Sequence, residues 1–189
     1  MKIGLYFGSF NPIHIGHLII ANHVANNADV DEVWLIVSPQ NPLKPSSVLL
    51  NEYDRLHLVQ IAVEKNIKLK ASNVEFKLPK PSYTIDTLAY LHEKYPKKEF
   101  SIILGSDSYC NISKWKNSNI LLTDYKLIIY LRQNFPVVEN LLVNVEVLDA
   151  PLLNISSTLI RDTIKQNKSI QYMVHDAVCD EIKKTGYYK

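Results

Sequence analysis

Short apolar runs alternate with longer stretches of helical period along almost the whole chain, and that alternation leaves few folds open. Residues 2–7 (KIGLYF) read as a buried strand. A Gly/Ser/Asn/Pro turn follows, then a helix over 16–28 with Leu18, Ala21, Val24, Ala25 and Ala28 at helical spacing. Residues 32–37 (EVWLIV) give a second strand, ended by a loop in which Pro39, Pro42 and Pro45 exclude regular structure. Asn51 is placed to cap a helix running to Glu64. A third strand falls within 67–78. A helix over 84–95 turns Ile85, Leu88 and Ala89 inward, and residues 100–104 (FSIIL) form a fourth strand ending at Gly105. Short helical segments fill 107–122, strands follow at 125–131 and 143–148, and helices over 158–166 and 170–184 close the pattern, with Gly186 as a stop.

Repeated strand–helix units predict an α/β fold: a Rossmann-like, doubly wound, mainly parallel sheet with helices on both faces. Ligands of such a sheet lie beyond the carboxyl ends of its strands, where the strand order reverses. No repeat or linker divides the chain, so residues 1–189 are expected to form a single domain. With 47% apolar and 21% charged residues, disorder is excluded as a reading of the whole. A net charge of +2 gives no field for nucleic acid or a membrane surface, but leaves room for local cations facing small anions. Cys110 and Cys179 are too few and too far apart for a disulfide framework. The first apolar run is broken at Gly8, Ser9, Asn11 and Pro12, too early for a signal peptide, and no stretch approaches a membrane span. A cytoplasmic protein is expected. Self-association into a homo-oligomer is left open.

The turn after the first strand carries Gly8, Ser9, Phe10, Asn11, Pro12, Ile13, His14, Ile15, Gly16 and His17. Gly8 and Gly16 allow close backbone approach, the coming helix start offers free N–H groups and a positive dipole end, and Ser9, His14 and His17 add donors on short stems. A phosphate could be met here from several sides. Two histidines about a glycine could also hold a metal, but no third ligand is suggested nearby. His23, His57, His92 and His175 read as structural or surface residues. The second cluster, Ile155, Ser156, Ser157, Thr158, Leu159, Ile160 and Arg161, stands at another helix start. Ser157 or Thr158 could simply cap that helix. The same hydroxyls and N–H groups, with Arg161 one turn in, could equally hold phosphate oxygens. Elsewhere Thr84 could be a cap, Asp86 a first-turn acid, Trp115 core, Asp107 a cap and Lys44 a solvated loop lysine.

GSFNPIHIGH resembles the (H/T)xGH signature of the nucleotidyltransferase superfamily, and ISSTLIR resembles its second signature, in the right order near the two ends of the chain. Members using phosphopantetheine usually carry Thr where His14 stands, and cytidylyltransferases carry a different second signature. Residues 81–87 (PSYTIDT), then Gly105-Ser106-Asp107, then Lys114-Trp115 are similar to elements of the bacterial nicotinate-nucleotide adenylyltransferases. The resemblance implies transfer of AMP from ATP, with Mg²⁺ arriving on ATP, to nicotinic acid mononucleotide, and release of pyrophosphate. It implies that His14, His17 and Arg161 carry the chemistry. Gly8, Ser9, Phe10, Gly16, Gly105 and Asp107 would line the ATP site, with Ile155, Ser156, Ser157 and Thr158 at the second helix start. The acceptor would meet Ser9, Lys44, Tyr83, Thr84, Trp115 and Arg132. No carboxylate cluster suggests a dedicated metal site. Three positions depart from the commoner pattern: Asn11 replaces a frequent Asp, Leu43 stands where a His usually precedes Lys44, and Arg132-Gln133-Asn134 replaces an Arg-Pro-Gly turn. The rival readings are another acceptor on the same fold and a nucleotide-binding regulatory module that has lost catalysis.

Overall fold

In the computed structural model, which describes residues 1–40, 49–137 and 144–189, β1 (Lys2–Gly8) runs through the middle of the sheet with both faces covered. Ile3 and Leu5 enter one core and Tyr6 the other. A strand buried on both faces needs apolar side chains at successive positions, so it reads as a run and not as an alternation. β1 pairs in parallel with β2 (Glu32–Val37) and with β4 (Glu99–Gly105). With β3 (Leu69–Ser72), β5 (Lys126–Tyr130) and β6 (Val145–Leu148), the described residues form a six-stranded parallel sheet in the order β3-β2-β1-β4-β5-β6. Its winding reverses between β1 and β4, which opens a crevice at their carboxyl ends.

The helices are α1 (Ile15–Asn27), α2 (Glu52–Val63), α3 (Thr84–Lys94), α4 (Ser106–Tyr109), α5 (Ser118–Asp124), α6 (Ser157–Lys165) and α7 (Asp176–Thr185). Helices α1, α2, α6 and α7 share one core with Leu35, Val37, Ile103 and Ile128. Helices α3 and α5 cover the other face, where Leu88, Leu91 and Leu121 meet Leu5, Ile102 and Leu127. Each such fully buried aliphatic side chain contributes about 1.5–3 kcal/mol over leaving it in water. The fold is thus doubly wound, as the alternation predicts. No helix among the described residues is long and apolar enough to cross a membrane.

Four local expectations are corrected. Ala89 is exposed, and Leu91, three residues beyond Leu88, takes the inward position on α3. The last helix begins at Asp176, not at 170. Ile170 and Val174 are buried at helical spacing, but Tyr172 between them sits at φ 66, which no helix accommodates. His175 caps the helix instead, its Nδ1 accepting the Ala177 N–H at 3.3 Å. The cap of α6 is Ser156 and not Ser157 or Thr158: its hydroxyl accepts the Leu159 N–H at 3.1 Å. Thr84 does not cap α3, whose N-cap Tyr83 makes no side-chain cap bond. Asn51 does cap α2, and Gly186 ends α7 at φ 72. Lys44 and Leu43, and Val143 at the expected start of the sixth strand, lie outside the described residues.

Candidate active site

At the end of β1 the chain folds back on itself. A Cβ on Gly8 would lie 2.7 Å from the Phe10 ring, so the missing side chain makes room for that ring and not, as expected, only for a ligand. Phe10 is 2% exposed at φ 45, a left-handed conformation that its burial must hold in place. The turn then delivers His14 as the N-cap of α1. The two histidines form a reciprocal capping box. Nδ1 of His14 accepts the His17 N–H at 3.4 Å, and Nδ1 of His17 accepts the His14 N–H at 3.3 Å. An acceptor Nδ1 places the proton of a neutral imidazole on Nε2. The rings stack with centroids 3.6 Å apart, and His17 meets Phe10 and Tyr6 edge-on.

Burial, with the Arg132 guanidinium second, pushes His14 from 6.5 down to about 4. Between those values the unfolded chain binds a proton that the folded chain refuses. The contribution of His14 to stability is therefore complete above pH 6.5 and lost as pH falls toward 4, about 3 kcal/mol in all. Urea midpoints at about pH 7.5 and 4.5 should show wild type losing roughly 2–3 kcal/mol more than His14→Asn, a variant that keeps an N-cap acceptor. Parallel losses in the two proteins would contradict the assignment.

The second cluster closes on this turn across most of the chain. Ser157 donates to the Pro12 carbonyl at 2.9 Å, and Arg161 Nη1 donates to the Asn11 carbonyl at 2.8 Å. Arg161 Nη2 donates to Thr158 Oγ1 at 3.2 Å. The start of α6 is thereby set beside the start of α1. Asn11 is buried, and its Oδ1 accepts the Leu50 N–H at 3.1 Å. In this fold it serves as a loop tie, a role open to an uncharged amide.

The far wall comes from β4 and β5. A Cβ on Gly105 would press on Asp107 Oδ1 and come within 3.1 Å of the Tyr130 ring, so a side chain where β4 turns into α4 would displace Asp107. Gly105 is the N-cap of α4, so Asp107 is not a cap. Asp107 instead lies 3.8 Å from Arg132 Nε. The Arg132 N–H donates to Ser106 Oγ at 2.8 Å, and its guanidinium carbon stands 5.3 Å from the Tyr130 ring centroid. Ser9 Oγ and Arg132 Nε are buried without a hydrogen-bond partner, which a bound polar group would satisfy.

Tyr83, Thr84 and Trp115 form a separate group on the α3 side of the sheet, where Tyr83 and Trp115 pack against the core. Lys116 ties its parts together: its ammonium bonds the Asp86 carboxylate at 2.8 Å and stands 4.9 Å from the Tyr83 ring centroid. Among the described residues, no group of three or more His, Cys, Asp or Glu is placed to hold a metal ion.

Two buried charges that the sequence does not single out organise the surroundings. Arg55 of α2, fully buried, donates to four carbonyls: Leu50 at 2.8 Å, Ser9 at 2.6 Å, Ser38 at 2.8 Å and Pro39 at 3.1 Å. It fastens the β1 turn to the loop after β2. Glu75, 2% exposed, accepts from the hydroxyls of Ser82 and Thr87 just around the start of α3.

A family model described as cytidylyltransferase-like matches residues 5–163, and the chain belongs to that family of nucleotidyltransferases. The "Probable nicotinate-nucleotide adenylyltransferase" of Flavobacterium psychrophilum is 50% identical over 192 residues, all of both chains. The protein of the same description in Cytophaga hutchinsonii is 50% identical, over 100% of this chain and 98% of its own. Within the family, then, the chain belongs to the nicotinate-nucleotide adenylyltransferases of NAD biosynthesis. Its fold matches the structure titled "Plasmodium falciparum nicotinic acid mononucleotide adenylyltransferase complexed with NaAD" with a TM-score of 0.85, at 24% identity over 99% of this chain and 97% of that one.

Proposed function

We propose that the turn at His14 and His17 and the start of α6 together bind ATP, and that AMP passes there to nicotinic acid mononucleotide. The observation that carries this reading is the meeting of two helix starts, held by the Ser157–Pro12 and Arg161–Asn11 bonds, beside the buried Ser9 Oγ and Arg132 Nε, which make no hydrogen bond. Such a pocket suits a polyphosphate. A 5′-phosphate oxygen of the acceptor forms a bond to the α-phosphorus of ATP, and the bond to the β-phosphate oxygen breaks in line. Pyrophosphate carries away the electron pair. A phosphate dianion is already a nucleophile, so the protein's part is positioning and charge stabilisation. His17, through Nε2–H, meets the α-phosphate, with His14 beside it. Arg161, Ser156, Ser157, Thr158 and the backbone at Ile155 hold the β- and γ-phosphates. Gly105 and Asp107 flank the nucleotide, and Arg132 faces acceptor phosphate. Tyr83, Thr84 and Trp115 receive the pyridine ring.

Magnesium fits as an ion brought in on ATP, because the described side chains offer scattered oxygens and no carboxylate cage; on the phosphates it would neutralise charge that leaves with pyrophosphate. The reaction is assigned to the cytoplasm, where its substrates are small and soluble. The test is pyrophosphate release from magnesium ATP on adding nicotinic acid mononucleotide, its amide counterpart or phosphopantetheine. Release is expected with nicotinic acid mononucleotide, far slower release with its amide counterpart, and none with phosphopantetheine. No release with nicotinic acid mononucleotide defeats the reading.

A further inference from the structure

Glu75 lies in a short 3₁₀ turn (Val74–Lys77) after β3, and its side chain is almost wholly buried. Burying a carboxylate is costly unless its oxygens are well served. No Lys or Arg among the described residues pairs with it; its partners are hydroxyls. Ser82 donates to Oε2 at 2.6 Å, and Thr87 donates to Oε1 at 2.9 Å. A fold needing only a filled core would be served by an apolar side chain here, so the acid points to a task of geometry.

The placement of those hydroxyls identifies the task. Ser82 stands just before the N-cap Tyr83, and Thr87 lies in the first turn of α3. The two oxygens of one carboxylate therefore straddle Tyr83 and Thr84. Thr87 Oγ1 also lies 3.3 Å from the Tyr83 carbonyl, which ties the cap residue to the same group. On the other side, the Ser38 carbonyl is held by Arg55 Nη1, which also holds the Ser9 carbonyl at the end of β1. Arg55 thus fastens the turn assigned to ATP to the loop after β2, while Glu75 fastens the helix start assigned to the acceptor.

We propose that Glu75 is a positioning residue for acceptor recognition, fixing the start of α3 through the hydroxyls of Ser82 and Thr87. The proposal rests on the assignment of Tyr83 and Thr84 to the acceptor. Burial raises the Glu75 carboxyl above its usual range and the hydroxyl bonds pull it back, in keeping with a group held by donors and not by a cation.

The test compares wild type with Glu75→Gln, which keeps the volume but turns one acceptor oxygen into a donor. The expected result is a KM for nicotinic acid mononucleotide raised about 10-fold or more, with the KM for ATP changed less than about 2-fold. Hydrogen exchange at the amides of 84–86 should quicken in the ligand-free protein, with the thermal midpoint lowered by only a few degrees. An unchanged acceptor KM, or an equal rise in both KM values, would overturn the proposal. Should Glu75→Gln not fold, Ser82→Ala and Thr87→Val each remove one of the bonds. A rise of about 3-fold in acceptor KM alone is then expected, and no rise in either is fatal. A wild type that releases no pyrophosphate with this acceptor sinks the functional reading instead, and the exchange rates at 84–86 then decide the role of Glu75 by themselves.

Discussion

Replacing His17 by alanine is expected to lower kcat by about 10²-fold or more while the protein stays folded. The expectation comes from how thoroughly the ring is fixed before any substrate arrives. Its Nδ1 accepts the His14 N–H, its face stacks on His14, and its edges meet Phe10 and Tyr6. A donor on Nε2 held in this way needs no reorganisation as charge develops on the α-phosphate oxygens. The structural cost is small by comparison. Alanine removes half of a capping box, about 1 kcal/mol, or roughly 2–4 °C in Tm for a chain of this size. Steady-state kinetics alongside circular dichroism separate the two effects. A loss of kcat with acceptor KM little changed marks an interaction made in the transition state. A folded variant turning over like wild type would remove His17 from the chemistry.

The enzyme should also prefer the nicotinate to the nicotinamide mononucleotide, by about 10⁴-fold in kcat/KM in the favourable limit. The acceptors differ by a carboxylate against a neutral amide on the ring. At the start of α3 the cap residue Tyr83 makes no side-chain bond to the first-turn N–H groups; its carbonyl takes those of Asp86 and Thr87, and the N–H groups of Thr84 and Ile85 are the donors offered to a ligand. They favour a carboxylate through charge, and an amide NH₂ placed there would face donors with donors. Asp86, the one acid in that turn, would repel a carboxylate, but Lys116 pairs with it. Trp115 can stack on the pyridine ring of either acceptor, so it supplies affinity and little discrimination. Trp115→Ala should therefore lower kcat/KM for both acceptors by similar factors. Equal wild-type values for the two acceptors would defeat the specificity claim. Indifference of both values to Trp115→Ala would make the indole simple packing.

β1, β2, β4 and β5 were legible because they are largely buried and announce themselves as apolar runs between turn residues; the edge strands β3 (LKAS) and β6 (VEVL), mostly half-buried, give a weaker signal. The glycine–histidine turn and the Ser-Ser-Thr…Arg cluster were legible as types of residue at helix starts. Their internal bonding was not. Histidine is a rare helix cap, so nothing in the letters marks His14 and His17 as capping each other. Arg55 in α2 reads as an ordinary solvated helix residue. Its burial follows only once the loops bearing Ser9, Ser38 and Leu50 converge on it, which is a property of the assembled fold. Glu75 is hidden for the same reason. The one signal in the letters is Glu75, a charge between Val74 and Phe76; Arg55 stands among Glu52, Asp54 and His57 and carries none. Period alone misplaced the last helix, because Ile170 and Val174 keep helical spacing without helical backbone.

The two helix starts proposed to hold ATP are joined by bonds spanning 145 residues for Ser157 to Pro12 and 150 for Arg161 to Asn11. During synthesis the imidazoles emerge among the first residues, yet the wall that completes their pocket leaves the ribosome only after the whole sheet has been made. A nascent chain short of α6 owns the helix cap and the stacked rings but has nothing opposite them. If ATP binds where proposed, it would act as a check on completion: it would tighten only chains that have brought their distant ends together, and a product stopped before residue 156 would gain no protection from it against proteases.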